Sequence, residues 1–154
     1  MNKEQLTELV IVPTLKKIPK GFSELSVVAI QMIIAHESLR GEYLKQIKGP
    51  ALGLIGMEPD THRDTWRYGD SIWDNAINCG IIDEWQFDRK MPPAPERLIY
   101  DLEYNVFMAR QKLFMFTEAL PDSHAGISKY LKKYWNAGGK ASAKEYLDDY
   151  NLWK

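Results

Sequence analysis

Cys79 is the only cysteine among the 154 residues, so no disulfide can form within the chain and the fold must stand on its core. With three histidines besides, nothing resembles the Cys and His cluster of a structural metal site, and no metal or other cofactor is expected. An excess of either charge is also missing, since 20 Lys and Arg face 21 Asp and Glu. That balance gives no reason to expect nucleic acid or an anionic membrane as the main partner. Long apolar runs are absent too. The most apolar stretch, Val27 to Ala35, falls far short of the roughly 20 residues that a membrane-spanning helix needs, so no span is expected. Met1 to Lys20 mixes Lys3, Glu4, Glu8, Lys16 and Lys17 with Pro13 and lacks the continuous apolar core of a secretory signal. Any export is expected to use another route.

What the chain does have is helical pattern and a large apolar share, 45% of residues, enough for one domain over 1–154 with residues 1–22 as an N-terminal helix and connector. From Ser23, a candidate N-cap, to Ser38, the positions Leu25, Val27, Val28, Ile30, Met32, Ile33 and Ile34 cover almost the whole helical circumference. This is the pattern of a helix buried at a domain's centre. Leu39 to Pro59 carries Gly41, Gly49, Pro50, Gly53 and Gly56 and reads as loops with a short hairpin, where a cleft wall can form.

Thr61 and Asp64 have capping-box spacing before one or two helices that run to Cys79, and Gly80 ends them. Met91 to Pro95 is a proline-rich connector. Beyond it Leu98, Leu102, Asn105, Ala109, Leu113 and Phe116 recur every three or four residues, the mark of one long amphipathic helix. Ile127 to Trp135 forms another helix, and Ser142 with Glu145 caps the last. Trp66, Trp73 and Trp85 sit at positions suited to the core. The class expected is mainly α, with a small loop lobe.

Glu37 stands out because it directly follows the most apolar helix and precedes the glycine-rich segment. A half-buried carboxyl has a raised pKa, and a glutamic acid still protonated near neutral pH can donate to a glycosidic oxygen as its bond breaks. The plainer reading is a helix end that is exposed or bonded to nearby backbone. His36, His62 and His124 lie in unrelated contexts and offer no serine triad, which disfavours nucleophilic catalysis.

The segment from Ala35 to Pro59 resembles the Glu-Ser and Gly-Leu-Met-Gln elements of soluble lytic transglycosylases and goose-type lysozymes. More closely it looks like a group of bacteriophage proteins in which Glu-Ser (here Glu37 and Ser38) is followed by Gly49 to Gly53, Met57 to Pro59, Thr61 with His62, and Trp66. Leu102 to Arg110 is similar to the helix behind the catalytic glutamate in that family. Tyr130, Lys132 to Asn136, Gly139, Lys140 and Ser142 resemble its Tyr-Asn element and the loop and helix after it. The likeness runs from about Ala29 to the end.

The resemblance implies a lysozyme-like helical domain with Glu37 catalytic and a substrate cleft drawn from Ser38, Tyr43, Gly53, Leu54, Met57, Glu58, Tyr104, Tyr134, Trp135 and Asn136. The implied reaction cuts the β-1,4 bond between N-acetylmuramic acid and N-acetylglucosamine. In a transglycosylase one glutamate serves as acid and then base, whereas a hydrolase needs a second carboxylate, for which Glu42, Glu58 and Asp60 are the nearest in sequence. Ser38 either shapes the site by hydrogen bonding or ends its helix. The implied partners are peptidoglycan strands and other virion proteins, and the setting is a phage virion or its host cell, in lysis or entry.

Two positions depart from the pattern. Gly56 stands where the pattern has glutamine, which removes a substrate hydrogen bond or widens the cleft, and Trp135 stands where the family has a tyrosine that bonds the catalytic carboxyl. Tyr134 is its neighbour, and an indole cannot supply a hydroxyl. Three readings therefore remain: a cleaving enzyme, a silent lysozyme-like module that binds glycan or builds a virion, and an unrelated helical interaction protein.

Overall fold

The computed structural model describes residues 1–154 and is mainly helical, with nine helical segments and no strands. Its centre is the Glu24–Glu37 helix, in which Ala29 to Ala35 are all buried. Ser23 starts it: the Ser23 hydroxyl accepts from the Ser26 amide while the Ser26 hydroxyl accepts from the Ser23 amide, so two donors of the first turn are satisfied reciprocally. Around it pack the N-terminal helix, Leu102–Phe114, the His124–Tyr130 segment and the closing helix Ala143–Asn151. Thirty-six buried residues, from Leu6 to Trp153, make one continuous core. Ile33 and Ile34 are wholly enclosed in it, and truncating either to Ala would cost about 2–5 kcal/mol.

The N-terminal helix runs over residues 3–17 and widens into a π turn at Thr7–Ile11, just before Pro13. Proline brings no amide hydrogen and a ring that crowds the preceding turn, and the wider turn accommodates both. A second π turn, Leu131–Trp135, extends the His124–Tyr130 helix to the edge of the cleft described below.

Several local expectations shift. The helix before Arg67 starts at Pro59, not after Thr61, because proline at the first helical position needs no partner for its nitrogen. The expected helix from Leu98 to Phe116 is broken at Asp101, whose extended backbone ends Arg97–Tyr100 and whose carboxylate accepts the Tyr104 amide to begin Leu102–Phe114. A short helix at Glu84–Arg89, capped reciprocally by Asp83 and Gln86, was not expected, and it leaves Trp85 half exposed instead of in the core. Trp66 and Trp73 are buried against each other, with ring centres 4.7 Å apart. The loop lobe holds only isolated antiparallel bridges, Lys45 to Leu52 and Leu52 to Met57. No helix is long and apolar enough to cross a membrane.

Candidate functional site

The chain leaves the central helix through a turn that fixes Glu37. Leu39 and Arg40 both adopt left-handed backbone conformations (φ of 47° and 61°), a costly arrangement for side chains with a Cβ. The turn is held by the Ser38 hydroxyl, which donates to the Ile34 carbonyl and accepts the Gly41 amide, and by the Arg40 amide on the Ala35 carbonyl. Ser38 is thus buried in the role of helix terminator and faces away from substrate space.

Glu37 opens onto a cleft of about 490 Å³ lined by 13 residues, mostly polar, among them Gln46, Met57, Glu58, Lys112, Trp135 and Asn136. The loop 136–139 forms part of its wall. Lys132 donates to the carbonyls of Asn136 (3.2 Å) and Gly139 (2.7 Å), which holds that loop closed on itself. One carboxyl oxygen of Glu37 accepts a hydrogen bond from Tyr146 at 2.7 Å. Tyr146 is fully buried and its ring lies 4.3 Å from that of His36, which in turn bonds Asp149 at 2.8 Å. The carboxyl is therefore gripped by the closing helix.

Gly56 lies close beside the other oxygen. Its φ is +57°, and a Cβ added there would stand 2.8 Å from Glu37 Oε2 and 2.9 Å from Glu37 Cβ. Only glycine lets the loop lobe approach the carboxyl this closely. A glutamine at this position, as the transglycosylase pattern has, would collide with the acid it is meant to assist.

Electrostatics favours a protonated Glu37. Burial pushes its carboxyl above the ordinary range, and the Tyr146 hydrogen bond and the charges of His36 and Lys112 offset only part of that push. Its place at the C-terminal end of a helix, where the dipole repels an anion, acts in the same direction. Lys112 is the cleft's one cation. Burial brings its ammonium down to about 8 against the pull of Glu37 and Glu58.

Of the residues that the resemblance implies, Glu37, Met57, Glu58, Trp135 and Asn136 line one cleft. The others do not. Gly53 (φ +78°) is packed against Leu98 and Asn105, and Leu54 is sealed in the core. Tyr104 is wholly buried, its hydroxyl taking the Trp66 indole hydrogen at 2.9 Å and lying 2.6 Å from His62 Nε2, so it is a core strut and not a sugar platform. Tyr134 stacks on Phe116 with ring centres 5.0 Å apart, away from Glu37. Tyr43 is exposed on the loop lobe, outside the cleft lining.

The hydroxyl that Trp135 cannot supply comes instead from Tyr146, a residue that the sequence pattern did not single out. Lys112 was likewise missed, as one polar position in an amphipathic helix. Of the three carboxylates considered as a second catalytic group, Glu58 alone lines the cleft, while Asp60 is paired with Arg63 on the surface and Glu42 is exposed. The chain matches no protein-family model, no curated protein and no solved structure.

Proposed function

We propose that this chain is a peptidoglycan-cleaving glycosidase of lysozyme-like type, working as a lytic transglycosylase on the bond between N-acetylmuramic acid and N-acetylglucosamine, in phage lysis or entry. The observation that carries the reading is Glu37: a carboxyl with a raised pKa, bonded by Tyr146 and close beside Gly56 on the wall of a polar cleft of about 490 Å³.

In this reaction protonated Glu37 gives its proton to the glycosidic oxygen, and the bond from the muramic acid anomeric carbon to that oxygen breaks. The resulting Glu37 carboxylate takes the proton from the same sugar's 6-hydroxyl as that oxygen bonds the anomeric carbon. The ring closes as a 1,6-anhydro sugar and Glu37 is protonated again. One carboxyl suffices for this route, which asks nothing of Glu58. Trp135, itself buried beneath the Lys112 ammonium, and the half-buried Asn136 form the floor of the cleft in which the sugars would lie.

The test is digestion of purified peptidoglycan in ¹⁸O-labelled water with mass analysis of the released fragments. Unlabelled anhydro ends are expected. Labelled reducing ends would mean hydrolysis and would make Glu58 the first carboxylate to test as base, and binding without any release would leave a silent glycan-binding module.

A further inference from the structure

Lys112 is the one cleft residue whose chemistry the cleavage step does not use. It projects from the Leu102–Phe114 helix into the same space as Glu37, half buried, with no carboxylate in ion-pair contact. Its ammonium donates to the Trp135 carbonyl at 3.2 Å and stands 4.1 Å from the centre of the Trp135 ring. An ammonium has three donors, so these contacts orient it without exhausting it. Partly burying a cation without an anion is unfavourable, and the cost is recovered when a ligand supplies the anion. Other lysines of this chain are placed differently: Lys17, Lys133 and Lys144 pair with Glu103, Glu118 and Asp148 on the surface.

Resting on the glycosidase reading above, we propose that Lys112 binds a carboxylate carried by the muramic acid residue, on its lactyl group or on the peptide joined to it, and so selects peptidoglycan over neutral chitin-like glycans. Three features support this. Lys112 lines the same cleft as Glu37, its ammonium resting over the ring of the buried Trp135, so a substituent of a sugar seated at Glu37 comes within reach of it. Burial holds the Glu37 pKa up, which weakens its competition for the cation. Glu58, the cleft's other carboxylate, is exposed and acts on the ammonium through its charge alone, without an ion pair. A neutral N-acetylglucosamine oligomer has nothing to offer this cation.

The experiment uses the full chain with Glu37→Gln, so that ligands persist, and compares Lys112 with Lys112→Met and Lys112→Arg. Calorimetric titrations are made with a disaccharide-tetrapeptide muropeptide, the peptide-free disaccharide with its free lactyl carboxylate, and a neutral chitotetraose. Lys112→Met keeps the aliphatic stem and should weaken the carboxylate-bearing ligands about tenfold. Chitotetraose should bind all three proteins alike, and Lys112→Arg should restore most of the loss. Weakening of the muropeptide alone assigns the carboxylate to the peptide, weakening of the disaccharide alone assigns it to the lactyl group, which is a free acid only where the peptide is absent, and weakening of both means that either can occupy the site. An equal loss for chitotetraose, or no loss for either acidic ligand, overturns the role of Lys112 while leaving the glycan reading intact. If none of the three ligands binds the Lys112 protein, the glycan reading falls and this inference falls with it.

Discussion

Tyr146 donates a hydrogen bond of 2.7 Å to Glu37 across 109 positions of sequence, joining the closing helix to the end of the central one. The bond stabilises the ionised carboxylate, so it restrains a pKa that burial has raised. Tyr146→Phe should move the Glu37 titration further up, followed by carbon-13 NMR of the side-chain carboxyl. Turnover should fall by about tenfold, roughly 1.4 kcal/mol of transition-state stabilisation, because the acid loses its anchor. A downward shift of the titration would contradict this role.

Glu37 should also leave a mark on stability. Its folded pKa lies above its unfolded value, so its contribution is present in full below the ordinary carboxylate range and is lost as pH rises through the folded pKa. Glu37→Gln cannot ionise. It should therefore melt higher than the wild type at neutral pH, with the gap closing below about pH 4. Parallel thermal melts across pH measure it, and a constant gap would show an unperturbed carboxyl.

Gly56 should tolerate no side chain. Gly56→Ala puts a Cβ against Glu37 in a left-handed backbone conformation, and should cost about 1–2 kcal/mol of stability together with most of the activity. Gly56→Gln, which restores the transglycosylase pattern, should be no better. Recovery of activity in the glutamine variant would mean that the loop lobe can retreat from Glu37.

The Tyr104 cluster separates folding from chemistry. Tyr104→Phe leaves the buried Trp66 indole hydrogen and His62 Nε2 without their partner, a loss of about 1–3 kcal/mol in chemical denaturation. Activity per folded molecule should be unchanged, because Tyr104 does not reach the cleft. Burial also depresses His62 to about 4, so the unfolded chain binds its proton first on acidification. That contribution to stability is present above about pH 6.5 and is lost as pH falls toward 4. A His62→Gln variant should flatten this part of the stability profile.

The central helix and the position of Glu37 were legible in sequence because a nearly all-round apolar segment can only be buried, and its first polar carboxyl has to emerge at the core's edge. The caps at Ser23 and Ser142 were legible for the same local reason. Tyr146 and Lys112 were not. Tyr146 reaches Glu37, and Lys112 the cleft that Glu37 lines, from helices remote in the chain, and each on its own helix looks like an ordinary core or solvated position. Tyr104 and Tyr134 misled in the opposite sense: a ring near a motif suggests a sugar platform, but its partners, Trp66 and His62 for one and Phe116 for the other, are fixed by tertiary packing. The break at Asp101 was hidden because apolar spacing continues through it, and the helix restarts on the Asp101 cap.

The most direct test of the account is release of soluble fragments from peptidoglycan by the wild type and by Glu37→Gln, with both proteins shown to be folded by circular dichroism. The account predicts release by the wild type, on a rate profile that falls as Glu37 loses its proton, and a loss of about a hundredfold or more in the variant. Equal release by the two proteins would contradict it, since another group would then have to supply the proton.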